Sequence, residues 1–462
     1  MPKTNLVFIC NECGADHPRW AGRCQDCGAW NSLEETQVRP AAAGPKGSTK
    51  SGAPALKPVL LDSIKAADVT RLPTGSAEFD RVLGGGIVPG SVVLLGGDPG
   101  IGKSTLLLQL AGRLKQGTVL YVSGEESAEQ ISLRAQRLGI SGKNMAVLAA
   151  TDVDSIIQTI LDTSPQLVII DSIQTTQTER FSSGPGSITQ VRESAARLQT
   201  VAKAHHVSTI LVGHVTKEGA IAGPRVLEHM VDAVLYLEGE KFHGFRLLRG
   251  VKNRFGPTDE VGVLMMEEEG LVDVDSPAGV FIDEQSVTSP GAAVTASMEG
   301  TRALLVEVQA LGVETSFGYP KRTASGFDTN RLQLLIAVLT KQAGLRLGSS
   351  DIYANVSGGF RLTEPAADLA MALAIASAVR NQAVLDKSVV IGEIGLSGEI
   401  RPVRDLKRRL EEAARNGFTG AIIPDQKMTD APLRTIKVRS VAQAVSEGLQ
   451  AAKSGREVAR AR

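Results

Sequence analysis

"GDPGIGKS", residues 97–104, is the stretch on which the fold turns. It fits G-x-x-x-x-G-K-[ST], a pattern that carries chemistry only where a strand feeds it and a helix leaves it. Both conditions hold: the apolar "SVVLLG" precedes it, and "TLLLQLAGRL" follows with helical character. Gly97, Gly100 and Gly102 let successive backbone N–H groups curl around phosphate oxygens, and the helix start adds its positive dipole end. Asp98, Pro99, Ile101 and Thr105 complete the loop and first turn. Lys103 is expected at the β- and γ-phosphates, with the Ser104 hydroxyl on Mg²⁺. The stretch therefore asks for ATP with Mg²⁺. The bland reading, a glycine-rich turn with an incidental lysine, has no need of the flanking pattern.

Outward from this loop, short apolar runs alternate with helical stretches between about residues 60 and 270. "TVLYVSG", "LVIIDS" and "STILVGH" are three of those runs, and such alternation predicts a mostly parallel sheet covered by helices. Strand ends hold the remaining candidates. Asp171 closes "LVIID", where a magnesium ligand, direct or through water, is expected. "YVSGEES" ends with Glu125 and Glu126, one of which would orient the attacking water. Glu125 is favoured, and Glu126 is equally readable as a first-turn carboxylate at a helix N-terminus. His214 ends "TILVGH" as a candidate γ-phosphate sensor or a plain polar strand end. "VKNRFGPT", residues 251–258, sends Lys252 and Arg254 to one side and Asn253 and Phe255 to the other if extended. It reads either as a solvated basic strand end or as two cations held toward an anion by a buried Phe255.

All four cysteines lie near the start: Cys10, Cys13, Cys24 and Cys27. Two C-x-x-C pairs bring four thiolates to one tetrahedral Zn²⁺, with His17 a weaker candidate ligand. Disulfides do not suit the cytoplasmic setting expected here, and a redox C-x-x-C belongs in a βαβ unit. No charged start followed by an apolar core marks a secretory signal. The longest apolar run, near Leu369–Val379, is too short to span a bilayer, so no membrane partner is expected. Lys+Arg and Asp+Glu each total 50 in 462 residues, so any DNA contact must come from local patches.

The division expected is a C4 zinc module at 1–37, a flexible Pro/Gly/Ala/Lys linker at 38–58, an α/β ATPase core at 59–284, a second α/β domain at 285–452 and a basic tail at 453–462. The second domain shows helical patterns at Asn330–Gly344 and Ala366–Arg380 and a basic helix in "RDLKRRLEEAARNG".

The zinc pairs, "GDPGIGKST" and "KNRFG", in this order and ahead of a tail similar to the Lon proteolytic domain, resemble the RadA (Sms) family of bacterial DNA repair proteins over essentially the whole chain. The resemblance implies a RecA-like P-loop ATPase core that forms rings, expected to be hexamers, on single-stranded and branched DNA. It implies a DNA-dependent ATPase and motor that drives branch migration beside a recombinase filament. A non-motor, ATP-switched scaffold for the recombinase is the alternative. It supports Glu125 as the catalytic carboxylate, and it suggests that Lys252 and Arg254 reach the γ-phosphate of a neighbouring protomer, although DNA and the subunit interface remain open partners for them. DNA-contact candidates are "ERFSSGPGSITQ" (179–190), with Arg180 and Phe181, and "TKEGAIAGPR" (216–225), with Lys217 and Arg225.

The Lon-like tail lacks a hydrolytic pair. "EPAADLAM" (364–371) puts Ala366 at the family's nucleophile, and Arg409 stands where its catalytic lysine belongs. Alanine offers no nucleophile and arginine stays protonated, so an inactive domain is expected. Its remaining role would be assembly, with Lys341, Arg346, Lys407, Arg408 and Arg409 as candidate basic surface.

Overall fold

The computed structural model describes residues 5–10, 15–26, 28–38, 70–115, 117–214, 226–239, 244–274, 281–283, 286–315 and 318–451. The chain falls into two compact units, Met1–Asp273 and Val274–Arg462. The linker beyond Val38, the start of the ATPase core before Thr70, the 216–225 loop with Lys217 and Arg225, and the 453–462 tail lie outside the described residues, as do Cys13 and Cys27.

The chain opens with a three-stranded antiparallel sheet of β1 (Asn5–Cys10), β2 (Asp16–His17) and β3 (Leu33–Val38), in the order β2-β1-β3. Its small core is Cys10, Cys24 and Leu33. The ATPase core then begins with α1 (Ala77–Leu83), started by the Ser76 side chain and stopped by Gly84 in the left-handed region.

The parallel sheet follows from uninterrupted apolar runs, the pattern of strands covered on both faces. Its strands and helices alternate as β4 (Val92–Gly97), α2 (Lys103–Arg113), β5 (Val119–Ser123), α3 (Ala128–Arg137), β6 (Met145–Ala149), α4 (Val153–Thr163), β7 (Leu167–Asp171), α5 (Ile188–His205), β8 (Ser208–His214) and β9 (Ala233–Glu238). An antiparallel extension adds β10 (Phe245–Asn253), β11 (Val261–Glu267) and β12 (Gly270–Asp273), giving the order β12-β11-β10-β9-β4-β8-β7-β5-β6. Val93, Leu95, Leu167 and Ile169 pack on one face of the sheet; Val92, Leu94, Val168 and Ile170 pack on the other. The alternation of the sequence thus becomes a doubly covered parallel sheet, and the antiparallel extension is the part that it did not announce.

The second unit holds a seven-stranded sheet, β15-β16-β14-β13-β17-β20-β21, with a separate β18-β19 pair. Its elements are β13 (Ala292–Glu299), β14 (Arg302–Glu314), β15 (Arg322–Ser325), α6 (Thr329–Gln342), β16 (Ser350–Val356), α7 (Asp368–Arg380), β17 (Ser388–Val390), β18 (Glu393–Ile394), β19 (Ile400–Arg401), α8 (Leu406–Arg415), β20 (Gly420–Pro424), β21 (Arg434–Val438) and α9 (Val441–Glu447). Asp368 through Ser377 of α7 are all buried, which is why that stretch is apolar almost all round. A 3-10 turn at Pro365–Ala367 precedes α7.

Candidate functional site

Strand register gathers the candidates. Gly97 pairs with His214 across β4 and β8, and Ser123 pairs with Asp171 across β5 and β7. The carboxyl ends of these strands thus lie side by side, where ligands bind in open α/β sheets. Gly97 approaches β9 so closely that a Cβ there would sit 2.5 Å from the Leu237 carbonyl oxygen. Gly102 begins α2 with φ 114, and a Cβ on it would meet the Met266 methyl at 2.8 Å. Asp98, Pro99 and Gly100 form an exposed rim, Ile101 is buried in the core, and Ser104 and Thr105 are half-buried on the first turn of α2.

Lys103 is only 3% exposed. Its Nζ donates to the carbonyls of Gly97 at 2.8 Å and Asp98 at 3.0 Å, so the ammonium is folded onto its own loop. Burial pushes it down to about 8, against the opposing pull of Asp171, Asp98 and Glu125. Beneath the loop, the Arg246 guanidinium donates to the Ile101 carbonyl at 3.1 Å from β10.

The two glutamates face different partners. Glu125 is exposed; its Oε1 accepts from the Ser172 hydroxyl at 3.1 Å and lies 3.7 Å from His214 Nε2. Glu126 is ion-paired to Arg134 of α3, and its backbone N–H donates to Ser123 Oγ at 2.9 Å. Asp171 accepts from the Tyr121 hydroxyl at 2.6 Å. His214 is held below its ordinary value by burial first and by Lys103 second, and its buried Nδ1 has no hydrogen-bond partner among the described residues. Gln174 Nε2 donates to the His214 carbonyl at 3.3 Å. Tyr121, Ser172, Gln174 and Arg246 are the neighbours that the sequence reading missed. Ser172 follows Asp171 directly, and Tyr121 interrupts an apolar run; nothing in "FRLLRG" marks Arg246.

"KNRFG" lies at the opposite end of the sheet. Asn253 pairs with Ala233 and Ala233 with Val93, whereas Gly97 pairs with Leu237. The run from Val93 to Gly97, roughly 13 Å of strand, separates the motif from its own phosphate loop. Lys252 Nζ donates to the carbonyls of Glu228 at 2.7 Å, Val231 at 2.8 Å and His229 at 3.4 Å. The Arg254 guanidinium lies 3.3 Å from Asp232, a buried carboxylate that also accepts the Val92 N–H at 3.0 Å. Asn253 Oδ1 accepts from the Phe255 N–H at 3.0 Å while its amide donates to the Leu83 carbonyl at the end of α1 at 3.3 Å.

Phe255 corrects the expectation of a buried anchor: it is 42% exposed. The Asn253 turn carries the chain outward past a register shift between Gly250 and Lys252, and Arg71 holds the Phe255 carbonyl at 2.6 Å while the ring stays out.

In the first candidate DNA loop, Gln190 is buried and its amide donates to the carbonyls of Thr178, Phe181 and Ser183 at 3.1, 3.3 and 2.9 Å. Arg180 is exposed, 3.9 Å from Glu193, and Phe181 is half-buried.

In the N-terminal sheet Cys10 and Cys24 are buried. The two cysteine turns close alike: the Cys10 N–H donates to Ala15 and the Cys24 N–H to Ala29, both at 2.9 Å. His17 Nε2 lies 3.4 Å from Cys24 Sγ, and His17, Cys24 and Asp26 place their ligand atoms within 4.8 Å of one another. Buried thiols on matched turns fit a soft-ligand Zn²⁺ site.

Ala366 and Arg409 are both buried in the second unit. Arg409 is ion-paired with Glu364 and also donates to the Ala296 carbonyl. At 1% exposure it cannot belong to a basic surface, which corrects that expectation. It shares the inner face of α8 with Leu406, Leu410 and Ala413, whereas Lys407 and Arg408 are exposed. Lys341 and Arg346 are exposed as well. Among the described residues no helix is long and apolar enough to cross a membrane.

Family models described as AAA domain, rubredoxin metal binding domain and subunit ChlI of Mg-chelatase match residues 63–220, 8–35 and 330–427. The DNA repair protein RadA of Bacillus subtilis (strain 168) is 48% identical over 456 residues, covering 97% of this chain and 100% of the relative. That of Pseudomonas aeruginosa PAO1 is 47% identical over 451 residues, covering 96% and 99%. The crystal structure of the RadB recombinase aligns with TM-score 0.36 and 25% identity, covering 44% of this chain and 100% of that one. A RecA-like, ATP-binding hydrolase core follows an N-terminal zinc-binding ribbon. The chain belongs to the RadA family of DNA repair proteins.

Proposed function

We propose that this chain is a DNA-dependent ATPase that works as a ring-forming motor on single-stranded and branched DNA, promoting branch migration beside a recombinase filament. The observation that carries the reading is the meeting of Lys103, Glu125 and Asp171 at neighbouring strand ends, with Glu126 diverted to Arg134. Backbone N–H groups of 100–105 would cradle the phosphates, and Lys103 would leave the Gly97 and Asp98 carbonyls to reach them. Glu125, aligned by Ser172, orients and deprotonates the attacking water. Ser104 and Asp171 would hold Mg²⁺, which would supply charge neutralisation at the phosphates. A cavity of ≈610 Å³ beside Thr105, bounded by Arg137 and Met266, would take the nucleoside.

The distance of Lys252 and Arg254 from their own phosphate loop supports service to the γ-phosphate of an adjacent protomer in a hexameric ring. Cys10 and Cys24, with Cys13 and Cys27 of the same C-x-x-C pairs, would hold Zn²⁺. The second unit is a Lon-like domain without peptidase chemistry, since Ala366 has no nucleophile and the Arg409 guanidinium is fixed to Glu364. Mixing Lys103→Ala with Lys252→Ala protomers tests the shared site. Each variant alone is expected to be inactive and mixed rings to recover part of the ATP hydrolysis; assembled mixed rings that stay inactive refute it.

A further inference from the structure

The chain has only two tryptophans, Trp20 and Trp30, and both stand exposed on the zinc-binding ribbon, at 58% and 73%. Tryptophan carries a large apolar surface and is ordinarily well buried on average. Here the module fills its core with Cys10, Cys24 and Leu33 and leaves both indoles outside.

Their placement is ordered. Arg23 and Trp30 face each other across an antiparallel bridge, and the Arg23 guanidinium lies 5.7 Å from the centre of the Trp30 ring. Arg23 is fixed there by donating from Nε to the Gly28 carbonyl at 2.9 Å. Gly22, next to Arg23, lies beside the other indole: a Cβ on Gly22 would be 3.8 Å from the Trp20 ring edge. The Asn31 N–H donates to the Gly22 carbonyl at 2.9 Å and ties the two sides of this small hairpin together. The Arg23 guanidinium therefore lies over one indole, Trp30, and the second indole, Trp20, stands exposed beside Gly22 on the same short hairpin.

We propose that Trp20, Arg23 and Trp30 form a stacking platform for the bases of single-stranded DNA. Every base has a π-face, so indole and guanidinium planes hold a strand without reading its sequence. The exposed neighbours include Pro18, Arg19, Gln25, Asp26 and Asn31, so two cations, Arg19 and Arg23, border the indoles with one acid, a balance that suits a phosphate backbone. The nearby acid, Asp26, lies 3.4 Å from His17 Nε2. This inference takes its ligand from the single-strand binding proposed above and adds a second site for it, on the ribbon.

The two tryptophans also supply the test, because all indole fluorescence of the chain arises from this hairpin. Oligo(dT) titrated into the full-length protein should quench that fluorescence along the same curve as the anisotropy of a labelled oligo(dT). Trp20→Ala with Trp30→Ala should weaken binding at least roughly thirtyfold, two stacked bases being lost. The Trp20→Phe, Trp30→Phe pair should bind within about twofold of the parent, since phenyl rings also stack. Zinc content equal to the parent's in each variant would show an intact ribbon. The proposal falls if the oligonucleotide binds with the indoles unquenched, or if the double alanine variant holds zinc and binds like the parent; single-strand binding by the core would survive either result. Indoles that respond to a recombinase protein and not to oligo(dT) would make the platform a protein dock and overturn the inference. A chain that binds no oligo(dT) at all overturns both readings.

Discussion

Arg254 and Asp232 are joined twice: the Arg254 N–H donates to the Asp232 carbonyl at 3.0 Å, and the guanidinium lies 3.3 Å from the carboxylate. Asp232 in turn receives the Val92 N–H, at the entry of the strand that ends in the phosphate loop. The motif is therefore fastened to the foot of β4 while ATP is expected at its head.

Glu125 and Glu126 are adjacent in sequence, but only Glu126 is committed to an arginine. Glu125→Gln should lower the ATPase turnover about 10²- to 10³-fold with ATP binding retained. Glu126→Gln should cost only about threefold, the effect of loosening one partly exposed ion pair. Turnover and nucleotide affinity measured on both variants check this; equal losses would refute the assignment, and a larger loss in Glu126→Gln would reverse it.

The phosphate loop and parallel strands were legible because continuous apolar runs and glycine spacing are local signals. Arg409 carried a readable signal as well: it sits three residues after Leu406 and four before Ala413, on the apolar face of α8. Its charge outweighed its position in the reading, because the partner that makes burial tolerable, Glu364, lies far away in sequence. Lys252 was opaque for the same reason, since its acceptors are carbonyls at 228–231. Phe255 failed on turn chemistry: alternation assumes an extended chain, and the Asn253 side chain ends that extension.

Burial raises the Glu364 carboxyl, but the Arg409 pairing and the Met298 N–H outweigh it, leaving the group below the usual glutamate value of 4.5. The folded protein thus binds this proton less readily than the unfolded chain. The associated stability is complete above about pH 4.5 to 5 and is lost as pH falls through the lower folded value. Thermal unfolding followed from pH 7 down to pH 3 should show a smaller acid-induced loss in Glu364→Gln than in the parent. At pH 7 the same variant should be less stable by about 3 kcal/mol, because the Arg409 charge is left buried without its partner.

Buried Cys10 and Cys24 sit on matched turns, and among the described residues Leu33 is the one other buried member of their small core, so the ribbon should depend on a bound metal. The protein should carry about one zinc per chain. Cys24→Ser should abolish that zinc and shift the tryptophan emission, whereas His17→Ala should keep the metal. ATP hydrolysis without DNA should remain within about twofold of the parent in Cys24→Ser, as expected for variants at independent sites. Zinc retained in Cys24→Ser and lost in His17→Ala would redraw the ligand set.

Lys252 and Arg254 separate by what each leaves behind. Removing Lys252 frees three carbonyls at 228–231, so Lys252→Ala should destabilise the protein by about 1–2 kcal/mol as well as stop hydrolysis. Removing Arg254 leaves Asp232 with the Val92 N–H and with Lys203 at 3.8 Å. Arg254→Ala should therefore unfold within about 1 kcal/mol of the parent, the usual worth of a half-exposed pair. If Arg254 serves a neighbour's phosphate, that stable variant should still bind ATP and assemble, yet hydrolyse it at least about tenfold more slowly. Chemical unfolding, sedimentation and ATPase rates on the same preparations decide it. A folded, assembled Arg254→Ala ring with normal turnover would confine the guanidinium to its bond with Asp232.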